Sequence, residues 1–185
     1  RLSLSSTTRI NPFDLPRGVG GDTRPKDIIR SAVITIKGLI KIMIGNLNYD
    51  EDSLMDRALL ETYAKKDITP DADLSKIEPP VMSDLEQVLD GMEGGSSLAD
   101  RLRKYTKGTF SGLLNNLTNV ETDNQLVCFS TRDLEDELRP MAIYTIVNYI
   151  WNIIRSEMKK RILVIDEAWW MMQNEDSAKF IFALV

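Results

Sequence analysis

The sequence predicts an α/β chain that is mostly helical, with a small all-helical unit followed by the opening of a parallel sheet. Three observations carry this expectation. Apolar residues recur at helical spacing through residues 24–106. Two short, continuous apolar runs, 126–129 and 162–165, have the composition of buried strands. A broad apolar helical stripe lies between those runs, giving the strand–helix–strand order of a βαβ unit.

Taken in order, residues 1–23 read as a connector, punctuated by Pro12, Pro16, Gly18, Gly20 and Gly21. Thr23 is placed to cap a helix that has Pro25 in its first turn. Ile28, Ala32, Val33, Ile36, Leu39, Ile40 and Met43 form its apolar face, Lys37 and Lys41 lie opposite, and Gly45 stops it. Ser53 is the expected cap of a second helix carrying Leu54, Ala58, Leu59 and Tyr63. Three prolines make the stretch from Thr69 to Pro80 a loop. Ser83 and Glu86 have the spacing of a capping box, opening a helix with Leu85, Val88, Leu89 and Met92 inward. A further helix starts at Ser96 or Ser97 and carries Leu98, Leu102 and Tyr105. The expected division is a connector over 1–23, a helical subdomain over 24–110 and a partial sheet-bearing core over 111–185. In that last part Pro140 opens a helix striped by Ile143, Ile146, Val147, Ile150, Trp151 and Ile154, and Ser177 begins another.

Composition narrows the chemistry. The 185 residues contain no histidine and a single cysteine, Cys128. This excludes histidine-based acid–base catalysis, an intrachain disulfide and nearly every zinc site. Cys128 falls within an apolar run and is expected to be an inert core residue. Net charge is −5, which argues against attraction of nucleic acid by the whole chain. That charge is uneven, at +5 over residues 1–44, −9 over 45–93 and −1 over 94–185. The acidic middle reads as a solvated surface. The most apolar stretch, 142–154, contains Asn148 and Asn152 and falls short of the roughly 20 residues a membrane span needs. The first residues lack the apolar core of a signal peptide. With no initiator Met and an apolar final stretch, the chain is expected to be a fragment of a longer protein.

The motif that bears on chemistry runs from Arg161 to Glu167. Four apolar β-formers would carry the chain through a sheet and deliver Asp166 and Glu167 at its carboxyl edge, where open parallel sheets bind ligands. This is the form of a Walker B motif, whose first acid helps hold Mg²⁺ and whose second orients the water attacking a γ-phosphate. The plainer reading is a strand that ends in two acids. No G-x-x-x-x-G-K-[ST] occurs in the chain. With no phosphate cradle and no P-loop lysine, no cofactor-binding residue can be named, and the chain alone is expected to bind ATP negligibly.

Four stretches together resemble a known family: Ile10 to Asp14 (I-N-P-F-D), Gly108 to Leu113 (G-T-F-S-G-L), Phe129 to Trp151 with its L-E-D-E-L-R-P element, and Ile162 to Met172 (I-L-V-I-D-E-A-W-W-M-M). They resemble the ATPases of bacterial type IV secretion and conjugal transfer, the VirB component-four family. The resemblance implies a RecA-like P-loop NTPase domain whose parallel sheet is interrupted by an inserted helical subdomain, with the P-loop upstream of N-P-F-D. It implies ATP and Mg²⁺ as cofactors of the full-length protein, Asp166 on the Mg²⁺ side and Glu167 as the catalytic acid. It also implies a homo-oligomer, a hexamer in this family, that works with other secretion-system subunits, contacts an inner-membrane complex and has DNA among its candidate partners. Its location would be cytoplasmic, at the bacterial inner membrane. Two other functional readings stand beside this one. One is a related DNA-translocating motor, such as a coupling protein or packaging ATPase, and the other is a non-catalytic helical interaction module.

Arg101, Arg103, Lys104 and Lys107 form a basic cluster. It reads as a trans-acting arginine finger or, as we favour, a solvated helix face matched to the helix dipole. Trp169 and Trp170 suit packing in a core or subunit contact better than base stacking. Arg132 and Arg139 flank the acids Asp133, Glu135, Asp136 and Glu137, which points to local salt bridges.

Overall fold

The computed structural model describes residues 8–16, 24–73, 77–108, 110–122, 124–156 and 159–166, together with Trp169 and Ala178. Helix α1 spans Pro25–Ile44 and buries Ile29, Val33, Ile36, Leu39, Ile40 and Met43. Ile28 is only half-buried, so the core face begins one residue later than its spacing suggests. Arg24 occupies the N-cap position without a side-chain cap, while the expected cap, Thr23, lies outside the described residues. Gly45 ends α1 with φ +84°, a conformation L side chains rarely adopt.

Helix α2, Tyr49–Ala64, starts earlier than expected. Its cap is Asn48, not Ser53: Asn48 Oδ1 accepts from Glu51 N at 2.9 Å and Glu51 Oε2 accepts from Asn48 N at 2.9 Å. This is a reciprocal capping box. Helix α3 covers Met82–Gly91 and α4 covers Ser96–Thr106. The expected box at Ser83 and Glu86 is absent. Instead Asp84 Oδ2 takes the amide of Val81 at 2.8 Å, and the Ser83 amide donates to Asn115 Oδ1 at 2.8 Å. Helix α5 is a single turn, Ser111–Leu114, and α6 spans Arg139–Ser156.

The helices form one layered bundle. α1 touches α2, α4 and α6, α2 touches α3, and α3 and α4 share the most extensive of these contacts. Among the described residues one core runs from Ile10 and Phe13 through helices α1 to α6 as far as Ile146. Lys37 and Lys41 do not face solvent alone but bind α2. Lys37 Nζ lies 2.9 Å from both Asp52 and Asp56, and Lys41 Nζ lies 3.2 Å from Asp52. Tyr63 and Tyr105, both fully buried, donate to the carbonyls of Phe13 at 3.1 Å and Met43 at 2.6 Å.

The expected sheet is not formed among the described residues. Residues 126–129 and 159–165 carry no strand pairing. Leu126 is 86% exposed, Ile162 92% and Val164 82%. The cause is physical. A helix satisfies its own backbone, whereas a strand exists only when a neighbour completes its ladder, and neither run has one among the described residues. Cys128, expected in the core, is therefore exposed. The stripe of α6 is displaced for the same reason. Met141, Ala142, Tyr144, Thr145, Ile146 and Val147 are buried, while Ile150, Trp151 and Ile154 are only half-covered. Among the described residues no helix is long and apolar enough to cross a membrane.

The α1–α6 contact depends on a missing side chain. A Cβ on Gly38 would lie 2.5 Å from Tyr144 Oη, which donates to the Thr35 carbonyl at 3.0 Å. Gly38→Ala is expected to cost about 1–3 kcal/mol, the usual range for overpacking, despite alanine's higher helix propensity. In a Tyr144→Phe background most of that cost should vanish, because the clashing atom is gone. Denaturant unfolding of the two single mutants and the double mutant checks this. Additive losses would show that the contact does not limit α6 docking.

Candidate functional site

Asp166 lies in a turn directly after the apolar run 162–165 and is exposed, with Ile165 half-buried behind it. Its expected partner in chemistry, Glu167, lies outside the described residues, as do Trp170 and all but Ala178 of the expected helix from Ser177. Trp169 is 54% exposed, so it is not a core residue here. Among the described residues no group of three carboxylates or thiols is placed to hold a metal ion.

The basic cluster is engaged within the chain. Arg101 Nη1 lies 2.8 Å from Glu51 Oε1, and its Nη2 donates to the Ile44 carbonyl at 2.7 Å. It therefore closes the last turn of α1 and reaches the capping box of α2. Arg103 binds Glu86 at 3.2 Å and Asp100 at 2.6 Å. Lys104 binds Glu137 at 3.0 Å and stands 4.9 Å and 5.2 Å from the ring centroids of Tyr105 and Phe110. A trans-acting role for any of the three would have to break these pairs. Arg139 meets Asp136 at 3.0 Å, a local salt bridge of the expected kind.

Two constellations escaped the reading of the sequence. The first is Glu86, a carboxylate with only 2% exposure. It accepts from the Thr106 hydroxyl, from Lys107 Nζ at 2.9 Å and from Arg103 Nε at 3.2 Å. Burial alone would raise its pKa, but the hydrogen bonds from Thr106, Lys107 and Arg103 outweigh it and hold the carboxyl below its usual range. The signal was its place in the stripe, four residues after Met82 and three before Leu89, both buried. Because the folded pKa lies below the unfolded one, this stabilisation is present above about pH 4.5 and is lost as pH falls through the folded value. Asp52, lowered chiefly by its hydrogen bond from Lys37 against the opposing effect of burial, acts in the same direction. Stability should therefore drop on the acid side, and Glu86→Gln should flatten that limb. Chemical unfolding across pH 3 to 7 reads this out, and an unchanged slope in the mutant would remove Glu86 from the account.

The second is the N-P-F-D stretch, read as a connector but held inside the bundle. Asn11 is 2% exposed and Phe13 fully buried. The Arg9 amide donates to Asn119 Oδ1 at 2.7 Å, and the Asn119 amide returns to the Arg9 carbonyl at 3.2 Å. The Asn11 amide donates to Thr118 Oγ1 at 2.7 Å, and Asn11 Nδ2 donates to the Pro80 carbonyl at 2.8 Å. Asn11 Oδ1 accepts from the Phe13 amide at 3.1 Å. The Asp14 carboxylate accepts from Thr118, and its carbonyl accepts from Asn152 Nδ2 at 3.4 Å. Phe13 and Tyr63 meet edge to face with centroids 5.8 Å apart. A small groove next to the stretch is lined by Pro12, Asp14, Ile28, Asn148, Asn152 and Arg155 among others.

No family model matches the chain, and no curated protein matches it. Among solved structures it is similar to VirB4 of Thermoanaerobacter pseudethanolicus, with a TM-score of 0.76 and 21% identity over 95% of this chain and 72% of that one. The fold is VirB4-like. It is also the fold of the family that I-N-P-F-D, L-E-D-E-L-R-P and I-L-V-I-D-E-A-W-W-M-M resemble. In this VirB4-like chain the motifs occupy distinct places. N-P-F-D is threaded through the helices, L-E-D-E-L-R-P leads into α6, and Asp166 stands at the exposed end of the run that follows α6.

Proposed function

We propose that this chain is part of an ATP-hydrolysing motor of type IV secretion or conjugative transfer. The observation that carries the reading is the VirB4-like fold in a chain that bears an apolar run ending in Asp166-Glu167. In this reading 126–129 and 162–165 become strands of a RecA-like sheet once flanking strands of the full-length protein complete their ladders. That accounts for two β-forming runs with no pairing of their own. Residues 1–23 then lead from a P-loop half, 24–110 form the inserted helical subdomain and 111–185 belong to the nucleotide-binding core.

Magnesium keeps several waters and takes only one or two carboxylates beside substrate phosphates. A single exposed carboxylate such as Asp166 suits that role, and bound Mg²⁺ would neutralise phosphate charge there. Glu167 would orient and deprotonate the attacking water. The phosphate cradle is not supplied by this chain. The working form would be a homo-oligomer, by resemblance a hexamer, on the cytoplasmic side of the inner membrane among other secretion-system subunits.

A second reading, a helical interaction module without catalysis, draws on the dominance of packed helices among the described residues. Hydrolysis of Mg-ATP by the full-length protein separates the two. Magnesium-dependent turnover supports the motor. A pure, folded full-length protein without it leaves the module.

A further inference from the structure

We propose that residues 9–14 form a mechanical joint, through which any displacement of the chain preceding them is delivered at once to α2, to the entry of α3, to the loop after α5 and to α6. The geometry of their hydrogen bonds carries this. Apart from one short turn, in which Asp14 N donates to the Asn11 carbonyl at 3.2 Å, the segment has no secondary structure of its own. Several of its polar groups are met by partners far away in sequence. Tyr63 of α2 holds the Phe13 carbonyl, and Pro80 before α3 accepts from Asn11. Thr118 and Asn119 after α5 bind Arg9, Asn11 and Asp14. Asn152 of α6 reaches the Asp14 carbonyl.

Ile10 and Phe13 are buried among the same elements, at 2% and 0% exposure. A buried donor or acceptor that loses its partner costs the full desolvation of that group. The segment therefore cannot shift within its slot without either breaking these bonds together or carrying the partner elements along. Packed interiors transmit such displacements because they hold few voids to absorb them. The joint goes beyond the motor reading and does not require it, since it concerns only how force enters the helices. Asn11 is its positioning residue, because one side chain bridges Phe13 N and the Pro80 carbonyl.

Native-state hydrogen exchange on this chain tests the joint, comparing wild type with Asn11→Ala. Exchange should rise roughly tenfold or more, the effect of losing the two buried hydrogen bonds of the Asn11 side chain. The rise should appear together at Ile68, which bonds to Tyr63, at Asp84, which bonds to Val81, and at Asn119, which bonds to Arg9. The interior of α4, whose residues do not touch the segment through any of these bonds, should keep its wild-type protection. A rise confined to residues 9–14, or an equal rise everywhere including α4, overturns the proposal. If Asn11→Ala does not fold, Thr118→Val removes two of the bonds at nearly constant shape and is judged by the same pattern.

Discussion

Glu167→Gln in the full-length protein is expected to lower ATP turnover by roughly 10²–10⁴-fold, the range for loss of a positioned acid–base group. Glu167 follows Asp166 at the end of a β-forming run, where a carboxylate can accept a proton from the attacking water. Glutamine keeps the shape and removes the charge and the basicity. Nucleotide affinity should survive, because phosphate contacts come chiefly from a P-loop backbone. Asp166→Asn should differ by weakening the magnesium dependence as well. Steady-state ATPase assays and nucleotide titrations on both variants provide the check. Near-normal turnover in Glu167→Gln would remove Glu167 from the mechanism.

Gly95→Ala is expected to be the most damaging small substitution in the helical part. Gly95 caps α4 with φ −84° and ψ −19°, a conformation open to any residue. Its need for glycine is therefore one of space. A Cβ there would lie 2.0 Å from the Leu89 carbonyl oxygen and 2.9 Å from its carbon. Both atoms belong to the backbone of α3, whose last turn bonds Met92 N to the same oxygen at 3.1 Å. No rotamer relieves the clash, so α3 and α4 must separate where they pack most closely. The expected cost is about 3 kcal/mol, at the upper end of ordinary overpacking. For a chain of this size that lowers the midpoint of thermal unfolding by about 10 °C. Gly91→Ala is the control, since a Cβ there meets nothing within 4 Å. It should be neutral or slightly stabilising. Equal midpoints for the two variants would show that the α3–α4 corner yields.

The helices were legible because each satisfies its own backbone and betrays its buried face by spacing. Their starts were less so. The first turn of α2 is Tyr49-Asp50-Glu51-Asp52, which offers no apolar period, so Ser53 seemed the better cap although Asn48 and Glu51 have capping-box spacing. The runs 126–129 and 162–165 announce β-propensity, but propensity cannot supply a neighbour, and the sheet is not present among the described residues. Asn11 was hidden by its surroundings. Between Ile10 and Pro12 it looks like a turn residue, and only the distant Pro80 and Thr118 reveal it as a bridge. Asp166 follows its apolar run as the sequence reads, but the sheet edge that was to present it is not formed among the described residues.

The end of α1 has a consequence for the order in which the chain can fold as it is made. Its last carbonyls do not find partners nearby. Met43 waits for the hydroxyl of Tyr105, and Ile44 for the guanidinium of Arg101. α1 and α2 leave the ribosome well before α4 exists, so their corner is at first held by the Lys37 and Lys41 ion pairs, with the last carbonyls of α1 met only by water. The hairpin acquires its final angle when α4 arrives and inserts both side chains. A nascent chain arrested before Arg101 should therefore hold the two helices at a looser elbow.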